Sequence, residues 1–164
     1  MMATQTKLDQ TYLEMAKNWS NLSQANRMKV GCLIVKNGQI ISDGFNGTPT
    51  GQSNMCEDRN GDTRREVLHA ESNAITKLAK GTSSSEGATL YTTLSPCFEC
   101  AKLIVQSGIR RVVCGELYRL NEGVDFLKTC GITVCIVGNT SASNGTCSCA
   151  DPYERLTVEG SSPL

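Results

Sequence analysis

Three features of this sequence predict an α/β protein, specifically a three-layer α/β/α sandwich around a mixed five-stranded sheet. Segments of helical apolar spacing alternate with short β-rich runs through most of the 164 residues. Two of the β-rich runs are joined by Asn37-Gly38, a strong hairpin signal, so part of the sheet is antiparallel. The later runs are separated by helical segments, the pattern of β-α-β units with parallel strands and right-handed crossovers.

The elements follow in order. Leu8, Tyr12, Met15, Ala16 and Trp19 recur at three- and four-residue steps and predict an amphipathic helix ending near Ser20. Val30 to Val35 and Ile40 to Phe45 flank the turn Lys36-Asn37-Gly38-Gln39 as hairpin strands. A Gly-rich stretch from Gly44 to Gly51 then opens a polar loop lasting to about Arg65. Its part from Gln52 to Arg65 lacks apolar anchors and is expected to order only with a ligand or a neighbouring subunit. Residues 66–80 carry Val67, Ala70, Ala74, Ile75, Leu78 and Ala79 at helical spacing, with Gly81 as the stop. Ala88 to Thr93 reads as a strand. Residues 97–107 read as a helix, with Pro96 at its start, Ala101, Ile104 and Val105 on one face, and Gly108 closing it. Strand Arg110 to Cys114, a short helix near Val124 to Thr129 and strand Ile132 to Val137 complete the series αββαβαβαβ. In such a fold, catalytic residues gather at the carboxyl ends of strands, where helix N-termini converge. Residues 1–138 are thus read as a single domain. Residues 139–164, rich in Ser, Asn and Gly without a hydrophobic period, are read as a mobile tail with a short docked piece around Tyr153 to Val158.

Composition narrows the function. Sixteen basic and sixteen acidic residues give zero formal charge, and aromatics make up 5%. A nucleic-acid partner would call for a basic stripe with stacking aromatics, so none is expected. One or two arginines still suffice for a small phosphate. Nine cysteines suggest a disulfide scaffold at first count. They are scattered, however, and the first residues, MMATQTKLDQ, form no apolar signal segment, so the expectation is a reducing, cytoplasmic setting. Cys32, Cys114 and Cys135 lie in apolar runs and read as core residues. Cys147 and Cys149 lie in the tail. No apolar run reaches the length of a membrane span.

The chemistry lies in two short motifs. His69, the only histidine, opens His69-Ala70-Glu71, and Pro96-Cys97-Phe98-Glu99-Cys100 follows later in the chain. One imidazole and two thiolates are three zinc ligands, and a catalytic zinc keeps its fourth place for water. Glu71 is too close to His69 to be a convenient fourth ligand, yet well placed to move protons. A redox reading of Cys97-x-x-Cys100 leaves His69, Glu71 and Pro96 without a role. A closed structural site would need another ligand, such as Cys56 or Cys114. Cys97 and Cys100 on the first turn of a helix face N–H groups and a dipole that favour thiolate. The spacing is the known signature of zinc-dependent cytosine and adenine deaminases.

At this point the chain resembles a known family. KVGCLIVKNGQIISDGFNGTPTG, HAESNAI, EGATLYTTLSPCFECAKLIVQSGIRRVV and GITV, across roughly residues 27–137, resemble the deoxycytidylate deaminases of the cytidine-deaminase superfamily. GFNGTP is the discriminating segment. Deaminases of free cytidine usually carry cysteine where this chain has His69. The resemblance implies the deaminase α/β/α fold and hydrolytic conversion of dCMP to dUMP with release of ammonia, supplying dUMP for thymidylate synthesis. It carries the zinc ligands to His69, Cys97 and Cys100, and the proton shuttle to Glu71. It makes Asn46 a contact to sugar and phosphate, Arg27 a phosphate ligand and Tyr118 a neighbour of that phosphate. Backbone amides of Ala70 and Glu71 would hold the pyrimidine O2, and Phe98 would wall the base or simply pack at its helix start. The ordinary readings of Arg27 and Tyr118 are a solvated charge and edge packing.

Regulation is implied too. Members of this family are commonly homohexamers activated by dCTP with Mg²⁺ and inhibited by dTTP. The loop bearing Gly44, Phe45, Gly47 and Thr48 lies near substrate and effector. Some relatives hold a second zinc in a long insertion before the catalytic histidine. Here CEDRNGDTRREVL is short and has no histidine, so one zinc per chain is expected. The alternatives are a deaminase acting on dCTP or on both nucleotides, a tRNA-type editing deaminase, and a non-enzymatic zinc module, for which Glu71 would have no use.

Overall fold

The computed structural model describes residues 3–138. The tail expected over residues 139–164, with its docked piece and Cys147 and Cys149, lies outside them. The elements run α1 (Gln5–Ser20), β1 (Gly31–Lys36), β2 (Gln39–Phe45), α2 (Ala70–Leu78), β3 (Thr89–Leu94), α3 (Phe98–Gln106), β4 (Arg111–Glu116), α4 (Glu122–Thr129) and β5 (Thr133–Ile136). The sheet has five strands in the order β2-β1-β3-β4-β5. β1 is antiparallel to both β2 and β3, while β3, β4 and β5 are parallel. The expected element order and mixed sheet are both present. The hairpin turn has Asn37 and Gly38 at φ 51° and 73°, the paired left-handed conformation of the tightest two-residue hairpins.

Alternation along the strands divides the core into two. Cys32 and Ile34 of β1, Leu90 of β3 and Val112 and Cys114 of β4 face Ala70 and Ala74 of α2, Ala101 and Ile104 of α3 and Leu127 of α4. Leu33, Val35, Tyr91 and Val113 point the other way, against Leu13 and Ala16 of α1. Among the described residues, three helices therefore cover one face and α1 alone covers the other. The expected core cysteines, Cys32, Cys114 and Cys135, are buried. No helix among the described residues is long and apolar enough to cross a membrane.

Two helix starts differ from the sequence reading. α2 begins at Ala70, not at residue 66, because the backbone of Leu68 is already paired: it exchanges hydrogen bonds of 2.9 and 3.1 Å with Gly47. His69 is the residue before the helix, with φ −70° and ψ 156°. Cys97 likewise precedes α3, at φ −70° and ψ 168°, rather than opening its first turn. Apolar spacing cannot register either boundary, since Val67 is half-buried for a different reason: it lines a cavity. Gly44 lets α2 settle on the sheet. A Cβ there would lie 2.1 Å from the carbonyl oxygen of Ala70, so any side chain would push away the helix start that follows His69.

The α1 face holds a buried ion pair. Both oxygens of Asp9 accept from the Arg111 guanidinium, at 2.8 and 2.6 Å, and the Tyr91 hydroxyl and Gln5 amide also donate to Oδ1, each at 2.8 Å. Asp9 and Arg111 are 2% and 3% exposed. Burial alone would raise the Asp9 pKa, but the donors outweigh it and hold the carboxyl below its ordinary 3.8. Because the folded value is the lower one, the pair's contribution is full above about 3.8 and is lost as pH falls through the folded pKa. Removing one member of a buried pair strands the other charge, so Asp9→Asn is expected to cost roughly 3–5 kcal/mol in urea unfolding at neutral pH. The gap between variant and wild type should narrow in acid. An equal gap at pH 7 and pH 3 would mean that the charge is not what matters.

Candidate active site

The ends of β2, β3 and β4 and the start of β1 lie on one side of the sheet, and the starts of α2 and α3 meet above them. There His69 Nδ1 lies 3.4 Å from the sulfurs of both Cys97 and Cys100. All three donor atoms fall within 4.8 Å of one another, and among the described residues no fourth His, Cys, Asp or Glu joins the group. Tetrahedral zinc spaces such nitrogen and sulfur ligands roughly 3.5 Å apart, so the trio fits that ion with one place to spare. Cys97 is pulled down to about 3, chiefly by the hydrogen bond from Cys100, with help from His69 and the Cys100 backbone N–H. Cys100 is raised in turn, as the sulfur that keeps the proton. A bound dication would take the place of that proton, which is the usual linkage between metal and thiol titration.

Glu71 is the second residue of α2 and is 4% exposed. Its floor is a row across the sheet: Cys32, Thr92 and Cys114 are register partners on β1, β3 and β4, each 0% exposed. The Thr92 hydroxyl donates to the Leu94 carbonyl at 2.9 Å and lies 3.4 Å from Glu71 Oε1. Burial raises the Glu71 pKa, against the opposing pull of its own backbone N–H and of His69. Burial, with Glu71's charge added, also pushes the Cys114 thiol up to about 12. This floor therefore carries no charge of its own, and Glu71 is a carboxyl able to hold a proton close to the ring of His69.

A cavity of about 440 Å³ opens over this group. Its wall includes His69, Ala70, Glu71 and Cys97 at the bottom, with Arg27, Asn46 and Tyr118 from the loops around it. Ala70 is the first helical residue, where a backbone N–H has no partner within the helix. Asn46 is tied at both ends: Oδ1 accepts from Val30 N and Nδ2 donates to Met28 O, each at 2.8 Å. It braces the segment that carries Arg27 as well as facing the cavity. The Tyr118 backbone is fixed by its N–H to Ser95 Oγ, at 2.7 Å.

Not every expected residue reaches the wall. Gly44 packs under α2, Gly47 pairs with Leu68, the Phe45 carbonyl accepts from Asn73, and the Thr48 hydroxyl donates to Ser53 O. These four build the loop; they do not line the cavity. Phe98 packs at a tilt against Phe126, 5.0 Å between centroids, and does not line this cavity. The stretch from Gln52 to Arg65 is not without an anchor: Cys56 within it is 2% exposed. Conversely, the wall contains Arg119, Ser95 and Glu57, which the sequence reading did not single out. Arg119 was findable as the cation next to Tyr118. Glu57 was not, because nothing local distinguishes it from the charges around it.

The zinc-binding region of cytidine and deoxycytidylate deaminases matches residues 6–116 of this chain. The chain belongs to that deaminase family. It is 38% identical to the deoxycytidylate deaminase of Enterobacteria phage T4 over 76% of this chain and 86% of that protein. It is 36% identical to that of Mycobacterium phage D29, over 64% and 91% of the two. Among solved structures, the dCMP deaminase of cyanophage S-TIM5 in complex with dCMP and dUMP superposes with a TM-score of 0.80 at 40% identity, covering 82% of this chain and all of that one. His69, Glu71, Cys97, Cys100, Arg27 and Asn46 all fall inside the matched deaminase region, whereas Tyr118 and Arg119 lie just beyond it.

Elemental analysis of this deaminase is expected to find one zinc per chain. Cys100→Ala should release it while circular dichroism keeps the folded spectrum. Full zinc occupancy in that variant would remove Cys100 from the ligand set.

Proposed function

We propose that this chain converts dCMP to dUMP and ammonia. The observation that carries the reading is a buried carboxyl beside a His-Cys-Cys donor group, at the bottom of a cavity whose wall also bears two arginines. His69, Cys97 and Cys100 would hold a zinc ion, which would make a bound water acidic enough to serve as nucleophile near neutrality. Glu71 takes a proton from the attacking water and delivers it to N3 of the pyrimidine. Oxygen adds at C4 as a hydroxyl; Glu71 then takes that hydroxyl's remaining proton and passes it to the amino group, which leaves as ammonia while the C4–O bond becomes a carbonyl. Water is consumed, and the C–N bond is exchanged for a carbonyl. The Ala70 N–H, and that of Glu71, meet the pyrimidine O2 at a helix start that favours developing negative charge.

The phosphate falls to the other end of the cavity. Arg27 and Arg119 offer guanidinium donors suited to a phosphate monoester, and Tyr118 adds a hydroxyl. The balance of sixteen positive against sixteen negative charges leaves no broad basic surface for a polynucleotide, which favours a free nucleotide over an editing substrate. The family resemblance extends the proposal to a homohexamer activated by dCTP with Mg²⁺ and inhibited by dTTP. That part rests on the resemblance alone. A dCMP saturation curve that is sigmoidal, turns hyperbolic with dCTP and is depressed by dTTP would support it; ammonia release from dCTP itself would make dCTP a substrate instead.

Glu71→Gln should keep its zinc and lose about 10²–10⁴ in kcat on dCMP, the usual worth of a general acid–base group. Near-normal turnover would dismiss Glu71 as the shuttle. Arg27→Ala should raise KM for dCMP far more than for deoxycytidine, which has no phosphate to hold. Equal effects on both would take Arg27 out of the phosphate site.

A further inference from the structure

Arg27 sits in an irregular stretch between α1 and β1, where no helix or strand bonds fix its position. Two side chains from elsewhere do. Asn46 braces the residues after it through Met28 and Val30. Glu57 takes the residues before it: Oε1 accepts from Asn26 N at 2.9 Å and from Arg27 N at 3.2 Å, and Oε2 accepts from Asn26 Nδ2 at 3.2 Å. One carboxylate thus receives three N–H donors from two successive residues. Bonds of this kind, with an ionised acceptor, are roughly twice as strong as neutral ones.

Glu57 is itself held. It pairs with Thr63 across a short hairpin closed by Arg64 N to Cys56 O and Asp58 N to Asp62 O, each at 2.9 Å. Gly61 turns the tip at φ 81°, and the Asp58 carboxylate caps the N–H groups of Asn60 and Asp62. Buried Cys56 pins the base. The tip reaches the arginine head: Arg27 Nη1 lies 3.5 Å from Gly61 O and 3.8 Å from Asp62 Oδ1. That outer ion pair is long and exposed, so solvent screens it and a phosphate can displace it. The inner contact is different, because Glu57 is satisfied by backbone and amide donors and leaves the guanidinium uncommitted. A carboxylate on the wall of an anion-binding cavity would otherwise oppose its ligand.

From this geometry we propose that Glu57 is a positioning residue, which presents Arg27 to the substrate's phosphate by clamping the backbone of Asn26 and Arg27. The inference rests on the phosphate reading given above for Arg27.

The test compares zinc-loaded, full-length wild type with Glu57→Ala, Glu57→Gln, Arg27→Ala and the double variant Glu57→Ala/Arg27→Ala, on dCMP and on deoxycytidine. Glu57→Ala should raise KM for dCMP roughly tenfold, equivalent to about 1.4 kcal/mol, and should move KM for deoxycytidine and kcat for dCMP far less. Glu57→Gln keeps an acceptor oxygen for the two backbone N–H groups and should fall between wild type and Glu57→Ala. The double variant should be no worse on dCMP than Arg27→Ala alone, since a clamp without its arginine has nothing to present. Additive losses, or equal losses on nucleotide and nucleoside, overturn the assignment in favour of a merely structural role. A raised dCMP KM in Arg27→Ala with none in Glu57→Ala overturns the clamp and leaves the phosphate reading intact. An unmoved KM in Arg27→Ala overturns both. Should the chain turn over neither substrate, dCMP and deoxycytidine binding to the same variants by calorimetry decides between the same outcomes.

Discussion

Everything at the site depends on two helix starts meeting at one point. His69 and Cys97 are far apart in the chain, yet Nδ1 of one lies 3.4 Å from Sγ of the other. Both residues stand just outside their helices in extended conformation, so their side chains project past the helix ends toward each other, not along a helix flank. That meeting is possible because α2 and α3 cover the same face of the sheet and because glycines allow close approach. Gly44 admits the α2 start, and Gly123 of α4 lies where a Cβ would be 2.2 Å from the Pro96 carbonyl oxygen, just before Cys97. Small residues thus set the distances that the donor atoms need.

The same arrangement separates the site's charges by depth. At the bottom, uncharged Cys32, Thr92 and Cys114 lie under Glu71, so burial opposes the carboxyl's charge and raises its pKa. At the mouth, exposed arginines face solvent and would meet an anion without a large desolvation cost. A proton carrier wants the first environment and a phosphate ligand wants the second. One cavity spanning a buried helix start and a set of surface loops provides both.

The opposite face of the sheet does a different job. Asp9, Tyr91 and Arg111 join α1 to the two central parallel strands through a buried, nearly saturated network; Arg111 Nε alone has no hydrogen-bond partner among the described residues. Apolar packing would hold α1 as well, but a bidentate pair accepts only one register of helix on sheet. α1 also leads directly into the segment that carries Arg27. A fixed helix end therefore helps to fix where that segment begins.

The sequence by itself determined the element order, the mixed sheet, the hairpin at Asn37-Gly38 and the chemistry of His69, Glu71, Cys97 and Cys100, because periodicity, turn residues and metal-ligand spacing are local and chemically distinctive. It did not determine where α2 and α3 begin, since the bond that stops α2 comes from Gly47, distant in the chain. Nor did it distinguish the Gly-rich loop's scaffold residues from the wall of the cavity, because glycine and threonine look alike in either role. Arg119 and Glu57 among many exposed charges, and Asp9 with Arg111 among sixteen of each sign, carry no local mark of what they touch. Their partners arrive only when distant segments fold together, so tertiary structure alone decided which charges are buried, which are braced and which face the cavity.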